Sequence, residues 1–196
     1  MAVDFRSPAM RELVPEDAGL ELLGSGFTFT EGPLWNPEGF LLFSDMPGDV
    51  RRRWDRLEGV SEVANPSNKG NGMTFDLDGR IVVCEHVTSS VVRMDPDGSL
   101  ENGRIFAEGI GTASLEVGDL VDGMKLDERG NVWVTGPGGV CVFDPQGEHI
   151  GTVEVPEPVG NLNWGGAGWD ELFICASTSL YRLRCSVSGN RLHYMR

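Results

Sequence analysis

The sequence predicts an all-β fold: a β-propeller of about four blades, each with four antiparallel strands. Three observations carry this. First, one pattern recurs four times, over residues 31–45, 71–85, 122–135 and 160–175. Each copy opens with an acid or amide beside a small residue. It then runs through a short apolar strand, turns at glycine and begins a second apolar strand. The copies start at Glu31, Asn71, Asp122 and Asn161, at intervals of 40, 51 and 39 residues, a spacing that belongs to propeller blades. Second, 27 of the 196 residues are glycine, about twice the usual share, which suits many tight turns. Third, no window shows sustained helical periodicity with caps.

The elements follow in order. Residues 1–18 read as a loose polar lead-in, and residues 19–196 as one propeller domain. Strands are expected at 32–35, 40–45, 49–54 and 59–64, then at 72–76, 80–85, 90–95 and 100–107. A third set is expected at 123–127, 131–135, 139–144 and 149–155. The last repeat offers only three, at 161–164, 171–176 and 180–187. Its missing fourth strand is expected from the N-terminal stretch 20–29, which would close the ring and cover an open sheet edge. Turns such as Asp127-Glu-Arg-Gly130 and Asp144-Pro-Gln-Gly147 place glycine where a positive φ is needed. Arg51-Arg52-Arg53 reads as a solvated strand edge.

Composition excludes several function classes. The net charge of −14 repels phosphate backbones, so nucleic acid is not an expected partner. The apolar runs are too short to span a membrane. The first residues carry Asp4, Arg6 and Pro8 rather than a secretory apolar core. Cys84, Cys141, Cys175 and Cys185 are widely spaced and strand-embedded, which suits small buried residues in a reducing, cytoplasmic setting.

Function is expected where the repeats begin. The first residue of each repeat sits at the start of an innermost strand, so Glu31, Asn71, Asp122 and Asn161 should meet at one mouth of the channel.

Five motifs stand out: Phe27-Thr-Phe-Thr-Glu-Gly-Pro-Leu-Trp35, Leu41-Leu-Phe-Ser-Asp45, Asn71-Gly-Met-Thr-Phe-Asp76 with Cys84-Glu-His86, Val121-Asp-Gly-Met-Lys125 through Val134, and Ser177-Thr-Ser-Leu-Tyr-Arg182. Together they resemble the gluconolactonase and regucalcin (SMP-30-like) family of six-bladed propellers. The resemblance implies hydrolysis of a small sugar lactone at one divalent metal. It implies Glu31 as a metal ligand, and Asp122 as a second ligand and the base. Oxygen donors suit Ca²⁺ first, with Mg²⁺, Mn²⁺ or Zn²⁺ as alternatives. A third family ligand lies in a Pro-Asn-Gly-type motif and a substrate-binding Asn in a Ser-Pro-Asn-Asp-type motif; neither is present. About two central blades are missing between the segments matching 71–98 and 101–135. Asn71 stands in as a third ligand by position, and Asn71, His86 and Asn161 are the expected substrate-binding residues. The alternative reading is a catalytically inactive shortened propeller that binds a divalent metal or a protein partner. A homodimer through open blade edges is a further expectation.

Overall fold

The structure, a computed structural model, describes residues 3–75, 81–85 and 121–191. Among these, fifteen strands and one short helix form four antiparallel sheets. The first sheet holds β3 (Thr30–Asn36), β4 (Phe40–Asp45), β5 (Val50–Asp55) and β6 (Gly59–Ala64) in that order. The hairpin β7 (Gly70–Phe75) and β8 (Ile81–Glu85) follows. A third sheet runs β9 (Met124–Leu126), β10 (Val132–Gly136), β11 (Gly139–Phe143) and β12 (His149–Glu154). The fourth holds β13 (Val159–Gly165), β14 (Glu171–Ala176) and β15 (Ser179–Arg184). The expected closing strand is present: β2 (Glu21–Ser25) pairs antiparallel with β15, with Tyr181 opposite Leu22. The strands expected at 90–95 and 100–107 lie outside the described residues.

Alternation along β14 shows how the sheets stack. Leu172, Ile174 and Ala176 enter one core cluster, while Phe173 and Cys175 enter another. A strand buried on both faces reads as a continuous apolar run, which explains Leu172-Phe-Ile-Cys-Ala176. The first cluster is shared with Trp133, Val140 and Val142 of the β9–β12 sheet. The second is shared with Trp35, Phe43 and Trp54 of the β3–β6 sheet. Aromatic pairs fix both interfaces: Trp133 meets Trp164 edge-on at 5.1 Å, and Trp35 stacks on Phe173 at 5.4 Å. The innermost strands therefore stand side by side, β9 against β13, β13 against β3, and β3 against β7.

Two expectations are corrected. The stretch 1–18 is not a loose polar lead-in. Its residues Val3–Phe5 form β1, which adds a fifth strand to β12. Residues Pro8–Leu13 form helix α1, capped by the Ser7 hydroxyl and begun by Pro8. Met10, Leu13 and Val14 are fully buried in the first core cluster. Nor is Arg51-Arg-Arg53 a solvated edge. Strand β5 is paired on both sides, and Arg52 lies over the Phe27 ring while its guanidinium bonds Asp45 at 3.1 Å.

Candidate active site

Glu31 is the second residue of β3 and is 5% exposed. The Glu31-Gly32-Pro33 motif forms an irregularity in the pairing of β3 with β4. Gly32 has φ +53°, and a β-carbon there would lie 2.0 Å from the Asn71 carbonyl oxygen. Only glycine satisfies both demands. The Glu31 carboxylate accepts hydrogen bonds at Oε2 from the Gly32 N–H, 2.8 Å, and from the Asn161 amide, 3.1 Å. Its Oε1 lies beside Gly160, where a β-carbon would approach to 2.9 Å.

Of the sequence-predicted residues, Asn161 contacts this carboxylate, and Asp122 and Asn71 lie on the neighbouring segments. Asn161 on β13 touches it directly, and its own Oδ1 accepts from the Leu162 N–H. Asp122 lies two residues before β9. Its N–H donates to the Thr135 hydroxyl at 2.8 Å, and the next residue, Gly123, donates to the Gly160 carbonyl at 3.1 Å. Gly123 has no room for a side chain, because a β-carbon would meet Asn161 Oδ1 at 2.5 Å. Asn71 lies against Gly32, and its carbonyl accepts from the Ser44 hydroxyl at 2.9 Å. His86 lies outside the described residues.

Electrostatics tie the group together. Burial is the main reason that the Glu31 carboxyl is held above the ordinary carboxylate value. The hydrogen bonds from Gly32 and Asn161 oppose this, the Asp122 charge adds to it, and the Lys125 ammonium offsets it. Lys125 is itself lowered by burial and supported by Glu31. The Glu31, Asp122 and Lys125 charges therefore influence one another.

Two contributors were not expected from the sequence. Lys125 follows the Asp122-Gly-Met motif and reads there as an ordinary strand residue. It is the middle residue of β9, opposite Trp133 on β10. The second is Glu157, between the sheets. Its carboxylate accepts from the Thr178 N–H (2.9 Å) and hydroxyl (2.8 Å), the Ser179 hydroxyl and the Tyr181 hydroxyl (2.8 Å). The turn that it holds receives the strand leading to Glu31: Phe27 N–H donates to the Thr178 carbonyl, and Thr30 N–H to the Ser177 carbonyl. Asp45 grips the same stretch through the N–H groups of Thr28 and Phe29. Asp127, by contrast, is structural; its buried carboxylate accepts from Asn131 and the Trp133 indole.

Comparison with known proteins identifies the family. A family signature described as "SMP-30/Gluconolactonase/LRE-like region" matches residues 71–178, more than half of the chain. The chain belongs to this family. A gluconolactonase from Zymomonas mobilis is 22% identical over 306 aligned positions, covering 93% of this chain and 86% of the relative. That alignment is longer than the 196 residues present here, so this family member is shortened internally. A gluconolactonase from Xanthomonas campestris shares the fold with a TM-score of 0.73 at 18% identity, over 94% of this chain and 95% of that one. A calcium-binding protein, regucalcin, from Agrobacterium tumefaciens shares it with a TM-score of 0.65 at 14% identity, over 89% and 98%. Both likenesses establish the propeller architecture.

The donor set suits a hard divalent cation. Glu31 and Asp122 carry carboxylate oxygens, while the Asn161 amide is engaged by Glu31 and the Leu162 N–H. Among the described residues, no group of three or more His, Cys, Asp or Glu side chains is placed to hold a metal ion.

Proposed function

We propose that this protein is a lactonase that opens a small sugar lactone by attack of water, using a divalent cation held by Glu31 and Asp122. The observation that carries the reading is the meeting of Glu31, Asp122 and Asn161 at one channel mouth, in a family whose named members include gluconolactonases.

A bound cation supplies Lewis acidity toward the lactone carbonyl and lowers the pKa of nearby water. The chain's own residues do the rest. Asp122, exposed at the mouth and anchored through its backbone to Thr135, accepts a proton from the attacking water. It returns that proton to the ring oxygen as the acyl bond breaks, which yields the open hydroxy acid. Glu31 is held rigid by Gly32 and Asn161, so its Oε1 presents a fixed ligand atom. Asn161 and Asn71 flank the carboxylates as hydrogen-bonding groups for sugar hydroxyls, with Asn71 as a third oxygen ligand. The oxygen-rich set favours Ca²⁺ first, then Mg²⁺, Mn²⁺ or Zn²⁺. Three described cysteines are free and buried, which supports residence in the reducing cytoplasm.

The test is hydrolysis of a sugar-lactone panel before chelation, after chelation, and after restoring each cation. Turnover that falls with the chelator and returns with a cation supports the proposal. Turnover no faster than the spontaneous rate with every cation, in a folded sample, overturns it.

A further inference from the structure

Strand β13 meets β3 along a seam with a fixed offset. Asn161 hydrogen-bonds Glu31 and Asn163 hydrogen-bonds Pro33, in both cases 130 residues apart in sequence. Two residues further on, Gly165 lies against Trp35, where a β-carbon would come within 2.7 Å of the indole. Every second residue of a strand shares one face. Asn161, Asn163 and Gly165 therefore turn toward β3, while Leu162 and Trp164 enter the core cluster shared with β10 and β11.

The middle contact falls where β3 leaves its own ladder. Glu31 is opposite Ser44 and Leu34 is opposite Leu42, so Gly32 and Pro33 together face one residue of β4 and have no ladder partner there. Pro33 is buried and has no N–H to offer. A buried carbonyl in such a bulge costs free energy unless a donor reaches it. The Asn163 amide does so at 2.7 Å, and Asn163 Oδ1 accepts in turn from the Trp164 N–H at 3.0 Å. On the other side, Gly32 sits against the Asn71 carbonyl of β7. The bulge that carries Glu31 is thus held from β13 and wedged from β7.

We infer that Asn163 is a positioning residue for the Glu31 carboxylate. It acts through the backbone. By fixing the Pro33 carbonyl it fixes the Gly32 N–H, which donates to Glu31 Oε2 at 2.8 Å, and the span across which Asn161 reaches the same oxygen at 3.1 Å. Asn161 holds the charged group, and Asn163 holds the bulge that aims it. The consequence for function rests on the proposed role of Glu31 as a cation ligand. Groups that orient a ligand in this way are commonly worth about ten- to a hundredfold in metal affinity.

The experiment compares the full chain of the wild type with Asn163→Asp and Asn163→Leu. Met10→Ala, which opens space under α1 beside Gly151, is the control for a loss of stability away from the seam. Aspartate keeps the acceptor for the Trp164 N–H but, ionised above neutrality, offers Pro33 no donor. Leucine keeps the volume and offers neither group. The first readout is NMR of the cation-free protein, following the Gly32 amide proton, which a carboxylate acceptor shifts downfield. In both Asn163 variants this signal should move upfield and exchange with solvent about tenfold faster. In Met10→Ala it should keep its position. The second readout is calorimetry with Ca²⁺, in which Asn163→Leu should bind about tenfold more weakly. An unmoved Gly32 signal in a folded Asn163 variant overturns the positioning role, and so does an equal movement in Met10→Ala. A moved signal with unchanged Ca²⁺ affinity overturns the consequence for cation binding. A wild type that binds no cation refutes Glu31 as a ligand, and the Gly32 comparison still decides the positioning role.

Discussion

Replacing Glu157 by alanine tests how Glu31 is held in place. The Glu157 carboxylate accepts four hydrogen bonds, from the Thr178 N–H and the hydroxyls of Thr178, Ser179 and Tyr181. Water can replace the carboxylate at Thr178. Ser179 and Tyr181 are only 3% and 7% exposed, so their hydroxyls lose a partner that solvent reaches poorly. At about 1 kcal/mol for each, Glu157→Ala should cost about 2 kcal/mol. For a chain of this length that is a fall of about 4–8 °C in Tm, read by calorimetry. The effect should depend on pH. Burial pushes the Glu157 carboxyl up, but the hydrogen bonds together outweigh it and hold it below the ordinary 4.5. A lowered carboxyl contributes stability that is present above its unfolded value and is lost as pH falls through its folded value. Wild type and variant should therefore differ most near neutrality and converge below pH 4.5. Cation affinity should fall as well, because the turn at Ser177 and Thr178 receives the backbone of Phe27 and Thr30. An unchanged Tm, or a gap constant across the acid range, would refute the reasoning.

Two further outcomes are expected. Glu31→Gln removes a buried charge while keeping an acceptor for Gly32 and Asn161, so the cation-free protein should gain on the order of 1 kcal/mol near neutrality and lose about a hundredfold in cation affinity. The sign follows from the raised Glu31 carboxyl: the wild type's stability from this group is full below 4.5 and is lost as pH rises through the folded value, so a pH-independent gap between the two proteins would contradict it. Met10→Ala opens a cavity under helix α1, where Met10 is wholly buried, and should cost about 2–5 kcal/mol in denaturant unfolding; a cost typical of exposed sites would show that α1 is not part of the core.

The legible parts of the fold were those with a repeat. The inner hairpins and the closing strand β2 follow from apolar runs and glycine turns at a fixed period. Helix α1 was legible in principle, since Ser7-Pro8 is a start signal and Met10, Leu13 and Val14 have helical spacing. At six residues it is too short to produce a periodic signal. The environment of Arg52 was hidden because cation–π packing on Phe27 depends on the tertiary fold. At the site, Glu31 and Asp122 stood out as acids at strand starts beside glycine. The reasons for those glycines emerged only in three dimensions, where Gly32 meets Asn71 and Gly123 meets Asn161. Glu157 acts through Thr178, Ser179 and Tyr181, about twenty residues away in sequence, which spacing along one strand does not reveal.

The most direct test of the account is hydrolysis of sugar lactones by the full chain with and without a chelator, alongside Glu31→Gln and Asp122→Asn. The account predicts turnover that the chelator removes, a divalent cation restores, and both variants lack. Turnover that survives chelation, or persists in the two variants, would contradict it.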